Sequence, residues 1–96
     1  MKNKSLISIH DITKSDYDRV LELAEKFEKK PRQNILNKFV ISTLFFEPST
    51  RTRLSFESAA SYLGARVIGF TDASTSSVKK GESLKDTVLT VSSYSD

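Results

Sequence analysis

Residues 39–70 read FVISTLFFEPSTRTRLSFESAASYLGARVIGF, and the order of residue types in this stretch decides the fold. Phe39 to Phe46 is a run of β-branched and aromatic residues, which suits a strand covered on both faces and hence a parallel sheet. Pro48 stops it. Ser49 or Thr50 can cap a helix reaching about Leu63, in which Phe56, Ala59, Ala60 and Leu63 share one face and Gly64 is the C-terminal stop. Arg66 to Thr71 then reads as a second strand. Strand, helix and strand in that order make a right-handed βαβ unit, whose ligands lie beyond the carboxyl ends of the strands.

The turn at that end, Pro48-Ser49-Thr50-Arg51-Thr52-Arg53-Leu54, gathers three hydroxyls and two guanidiniums at a helix start. Helix N-termini leave amides without intrahelical partners, their dipole favours negative charge, and arginine grips phosphate or carboxylate through paired hydrogen bonds. The cluster therefore suits an anion, with a phosphorylated small molecule as the guest. Arg51 and Arg53 are two positions apart and project differently, so one binds and the other braces. Without further context, a helix cap dressed with surface charge is the commoner explanation, and the residues alone leave the function open. Glu47, just before the turn, would repel an anion unless an arginine neutralises it, so pairing is its expected role.

Outside this unit, Thr13 and Ser15 are candidate N-caps, with Asp16 and Asp18 three places after them. Tyr17, Val20, Leu21, Ala24 and Phe27 recur at helical spacing, predicting an amphipathic helix over 15–30. Its polar face places Glu25 and Lys29 for an i,i+4 pair. Residues 72–77 are small and hydroxyl-bearing, predicting a mobile loop, and Lys79-Lys80-Gly81-Glu82 leads into a third helix carrying Leu84, Val88, Leu89 and Val91. Paired lysines on such loops are more often solubilising than functional.

Composition sets the outer bounds. With 96 residues, 38% hydrophobic and 28% charged, the chain is one small α/β domain or part of a larger one. It has no cysteine, which removes disulfides and thiolate metal sites, and its lone His10 has no companion spaced for a metal. A net charge of +3 arises from basic residues interleaved with acidic ones, which suits small anions as well as it suits nucleic acid. Neither G-x-x-x-x-G-K-[ST] nor G-x-G-x-x-G occurs, disfavouring ATP, GTP and NAD. No apolar run approaches the roughly 20 residues of a membrane span, and Met1 to Leu6 lacks the apolar region of a secretory signal, so a cytoplasmic protein is expected.

Leu44-Phe45-Phe46-Glu47-Pro48-Ser49-Thr50-Arg51-Thr52-Arg53-Leu54-Ser55-Phe56-Glu57 closely resembles the aspartate/ornithine carbamoyltransferase family. The resemblance continues through Leu63-Gly64-Ala65, Gly69-Phe70 and Lys79 to Thr87, covering most of residues 39–96. Phe46-Glu47-Pro48 and Lys80 resemble its aspartate branch more than its ornithine branch, where a lysine commonly precedes the shared core. Ser77-Val78 departs from a Leu-Gly pair common in bacterial members.

The resemblance implies the N-terminal portion, 1–96, of a three-layer αβα carbamoyl phosphate-binding domain with a parallel sheet, and transfer of a carbamoyl group from carbamoyl phosphate to L-aspartate in pyrimidine biosynthesis, without metal or organic cofactor. An ornithine-type enzyme, or a truncated anion-binding or assembly fragment without turnover, is the alternative. By the same resemblance Ser49, Thr50, Arg51 and Thr52 hold the phosphate, with Arg51 and Thr52 near the reacting oxygens. Ser76 and Lys80 act in the neighbouring subunit's site of a homotrimer, Arg53 is structural, and Glu82 orients Arg51. A regulatory chain is a further implied partner; nucleic acid and membrane are not. Complete members are much longer and add an aspartate-binding domain absent from these 96 residues. A segment with two parallel strands exposes sheet edges and apolar helix faces, and below roughly 100 residues burial is marginal. The isolated polypeptide is accordingly expected to be poorly stable and inactive.

Overall fold

The computed structural model describes residues 4–71 and 83–96. The chain divides into two compact units, Met1–Pro31 and Arg32–Asp96.

In the first unit a short 3₁₀ turn, Ile9–Asp11, precedes helix α1, Lys14–Lys29. Both begin with a reciprocal capping box. The Asp16 amide donates to Thr13 Oγ1 at 3.1 Å and the Thr13 amide donates to Asp16 Oδ2 at 3.1 Å, so Thr13 is the cap and Ser15 lies inside the helix. The polar face is laced by Lys14–Asp18, Arg19–Glu22 and Lys26–Glu22 ion pairs rather than by the anticipated Glu25–Lys29 pair. All are exposed and worth only tenths of a kcal/mol each.

The second unit is built on strands β1, Val40–Leu44, and β2, Arg66–Phe70, joined by helix α2, Thr50–Tyr62, and followed by helix α3, Leu84–Ser92. The strands pair in parallel with Val40 opposite Arg66 and Leu44 opposite Phe70, as the strand–helix–strand order requires. The ladder extends one residue each way, with the Arg66 amide donating to the Phe39 carbonyl at 3.1 Å and the Phe45 amide to that of Phe70 at 3.0 Å. Beyond its carboxyl end Phe46 meets Phe70 edge to face, ring centroids 5.1 Å apart.

α2 ends at Gly64, whose φ of +92° is a left-handed conformation that glycine takes without a Cβ penalty. The Ala65 amide donates to Ala60 and the Gly64 amide to Ser61, both at 3.0 Å, the Schellman pair of bonds. Gln33 and Leu36, on the segment leading into β1, donate their amides to the remaining carbonyls of Tyr62 and Leu63 at 2.9 and 2.8 Å. Arg32 lies over the Tyr62 ring at 4.7 Å. On the other edge of β1, the Val40 amide donates to Asp96 Oδ2 at 2.9 Å and the Asp96 amide returns a bond to the Val40 carbonyl at 2.8 Å.

Two expectations are corrected. The residues of α2 drawn against the sheet are Arg53, Glu57 and Ala60, whereas Phe56 is 62% exposed and Leu54 51%. The stripe is rotated because Glu57 is held to β1 by a hydrogen bond from Thr43. The strands are also not covered on both faces. Within this chain Thr43 is the strand residue that is buried, Ile68 is 40% exposed, and Ala60 is the buried apolar residue among those described. An open groove of about 910 Å³ runs between α2 and β2, past Arg53, Glu57, Ile68 and Phe70. Large apolar side chains left open in this way are what a polypeptide with too little of its own surface to bury presents.

Candidate anion-binding site

Among the described residues, every helical element but one fills its own N-terminus. The 3₁₀ turn has Ser8 with Asp11, α1 has Thr13 with Asp16, and α3 has Ser83, whose Oγ accepts the Asp86 amide at 3.1 Å, with Asp86 in its first turn. α2 begins differently. Its N-cap Ser49, at φ −146° and ψ 64°, makes no side-chain capping bond, and its first turn contains no acidic residue. The first bond of the helix is from the Arg53 amide to the Ser49 carbonyl at 2.8 Å, which leaves the amides of Thr50, Arg51 and Thr52 without intrahelical partners. This start lies just past the carboxyl end of β1, where ligands of open α/β sheets are received.

The two arginines of the turn are placed differently. Arg51 is exposed and in no ion pair among the described residues, as are the hydroxyl-bearing Thr50 and Thr52 beside it, while Ser49 is half-buried. Arg53 is half-buried, and its Nη1 lies 3.3 Å from Glu57 Oε1 and 3.5 Å from Oε2. The second carboxylate oxygen accepts a 2.9 Å bond from Thr43 Oγ1. Arg53 is thus tied through Glu57 to β1, whereas Arg51 is exposed to solvent. Glu47 is exposed and in no ion pair among the described residues, and Arg53 has Glu57 as its carboxylate partner. Ser76, Lys80 and Glu82 lie outside the described residues.

Thr43 and Glu57 had received no role from the sequence. The i,i+4 spacing of Arg53 and Glu57 was a readable signal for half of this arrangement. The Thr43 contact was not readable, since it joins residues 14 apart across the strand–helix turn.

A parallel βαβ unit whose helix starts, just past the carboxyl end of β1, with basic and hydroxyl-bearing residues and no side-chain cap defines an α/β domain. More specifically, the chain belongs to the aspartate/ornithine carbamoyltransferase family: the model of that family's carbamoyl-P binding domain matches residues 4–96. The aspartate carbamoyltransferase catalytic subunit of Parabacteroides distasonis is 60% identical over 96 residues, which is all of this chain and 31% of that protein. Among solved structures, the catalytic subunit of M. jannaschii aspartate transcarbamoylase superposes with a TM-score of 0.83 at 47% identity, over 97% of this chain and 32% of that one. Aspartate transcarbamoylase from Trypanosoma cruzi in complex with carbamoyl phosphate gives 0.89 at 37% identity, over 99% and 32%. The chain therefore spans about a third of the length of the relatives it matches. No helix among the described residues is long and apolar enough to cross a membrane.

Proposed function

We propose that this chain provides the phosphate-binding part of an aspartate carbamoyltransferase, which transfers the carbamoyl group of carbamoyl phosphate to the α-amino group of L-aspartate. The observation that carries the reading is the start of α2, left without a side-chain cap or an acidic residue, with Arg51 exposed beside it and in no ion pair among the described residues. The relatives support it, since the T. cruzi enzyme has been solved with carbamoyl phosphate and with carbamoyl aspartate and phosphate.

In this reading Ser49, Thr50, Arg51 and Thr52 bind the phosphoryl group through hydroxyls, free amides and the guanidinium. The amine nitrogen of aspartate attacks the carbonyl carbon, a tetrahedral oxyanion forms, and the bond to the phosphate oxygen breaks as the proton given up by the amine passes to the departing phosphate, releasing phosphate and N-carbamoyl-L-aspartate. Negative charge grows on the carbonyl oxygen and then on the leaving phosphate, so fixed donors and one cation at those positions lower the barrier without a covalent nucleophile. Arg51 and Thr52 serve the reacting oxygens. Ser76 and Lys80 complete the site from the neighbouring subunit of a homotrimer, Glu82 orients Arg51, and the setting is cytoplasmic pyrimidine biosynthesis. The aspartate-binding groups and any regulatory chain lie beyond these 96 residues.

Titration of the full-length polypeptide with carbamoyl phosphate, and with N-(phosphonacetyl)-L-aspartic acid, tests the reading. Saturable binding that perturbs the amide resonances of Ser49 to Thr52 is expected. Saturation without any change at those amides refutes the placement of the site.

A further inference from the structure

We infer that Thr43, Glu57 and Arg53 form a positioning clamp for the carbamoyl-phosphate corner: the strand hydroxyl fixes the carboxylate, the carboxylate fixes the guanidinium, and Arg53 is thereby held off the phosphate that Arg51 is left to bind. The inference rests on the function proposed above and extends it to two residues that touch no substrate. Three observations carry it. The Arg53 amide makes the first helical bond of α2, to Ser49, so the residue that closes the corner also bears the clamped side chain. Among the described residues its guanidinium is held through Nη1, Nε is buried with no hydrogen-bond partner, and Glu57 is its compensating charge. Thr43, 8% exposed, uses its hydroxyl to hold the other oxygen of that carboxylate, and Gly69 opposite it in the ladder leaves the space it occupies: a Cβ on Gly69 would stand 2.8 Å from Thr43 Oγ1.

A half-buried guanidinium that loses its carboxylate turns to the nearest other anion, because an uncompensated charge is costly to keep. Here that anion is the substrate phosphate one turn away, and Arg53 would draw it out of register with Arg51. A helix start still binds a phosphate under these conditions, but the carbonyl is no longer aligned for attack, and alignment is the more demanding requirement.

The test uses the full-length enzyme with Thr43→Val, Thr43→Ser and Glu57→Gln. It compares kcat per folded site, the inhibition constant of inorganic phosphate, and Tm. Thr43→Val and Glu57→Gln are each expected to lower kcat roughly tenfold or more while phosphate inhibition stays within about threefold, and the double variant should be no worse than the poorer single one. Thr43→Ser, which keeps the hydroxyl, should retain near-parental kcat. A role confined to stability would lower Tm and leave kcat per folded site intact in both variants, which overturns the clamp. Parallel loss of phosphate inhibition and kcat also overturns it, by making these residues part of the binding surface. If the unsubstituted enzyme transfers no carbamoyl group at all, the function proposed above falls instead.

Discussion

Gly69 stands directly opposite Thr43 in the parallel ladder, and a side-chain carbon added to it would collide with the Thr43 carbonyl oxygen and crowd Thr43 Oγ1. Both colliding partners belong to the residue that anchors Glu57, and one of them is backbone, which cannot rotate aside. Gly69→Ala is therefore expected to cost at least about 2 kcal/mol, as forced overpacking does. Urea denaturation of the full-length protein measures it, and a loss under 0.5 kcal/mol, the scale of an ordinary surface change, would contradict the tight approach of the two strands.

Arg51 should show a much larger effect on turnover than on stability, being exposed and in no ion pair among the described residues. In the full-length enzyme Arg51→Ala is expected to lower kcat at least about 100-fold, the scale for losing one donor to a developing oxyanion, with Tm nearly unchanged. Steady-state kinetics on folded material decides it. A near-parental rate would remove Arg51 from the reacting centre.

Sharing of the site between subunits has its own test. Chains carrying Arg51→Ala and chains carrying Lys80→Ala, each inactive alone, are mixed after dissociation. If each site draws Arg51 from one subunit and Lys80 from the next, mixed trimers regain an intact site and activity returns. Continued inactivity of verified mixed trimers would place both residues in one subunit's site.

Thr87 is 5% exposed, and its Oγ1 is buried without a hydrogen-bond partner. An unsatisfied hydroxyl contributes nothing to offset its desolvation, so Thr87→Val, which preserves shape, should leave stability within about 1 kcal/mol of the parent or raise it. A clear loss in chemical denaturation would show that the hydroxyl has a partner in the assembled protein.

At the start of α1, the bond that Asp16 accepts from the Thr13 amide lowers the carboxyl pKa below its ordinary value of 3.8. A carboxylate whose folded pKa is depressed stabilises the fold above its ordinary pKa and stops doing so as pH falls through the depressed value. Protection of the α1 N-terminal amides from exchange should accordingly hold from neutral pH down to about 4 and fade below it. NMR titration of the Asp16 carboxyl carbon reads this directly. A midpoint at or above 3.8 would mean that the cap is not formed in solution.

The strand–helix–strand frame was legible because its punctuation is strong. The β-branched run at Val40 to Leu44, Pro48 and Gly64 each permit few conformations, and all agree with one another. The grouping of hydroxyls and arginines at the start of α2 was readable as well, because they are consecutive in the sequence. The rotation of α2 was not. Helical periodicity marks apolar residues as the inward face, and here a polar pair lies inward because a strand hydroxyl accommodates its charge. That dependence on a partner from another element is invisible to a pattern read along a single helix. Helix α1 shows the converse: Tyr17, Val20 and Leu21 form the anticipated apolar stripe, yet each is about half exposed within this chain.

Helix α2 is gripped at its tail, where Gln33, Leu36 and Gly64 satisfy its last carbonyls, and has no side-chain cap at its head. A phosphate at that start, as the proposed function has it, would displace none of the helix's described bonds. On the proposed function the donors of this corner stand in place beforehand, so calorimetric titration of the full-length protein with phosphate should show the small heat-capacity change of rigid docking instead of the large one that accompanies folding on contact.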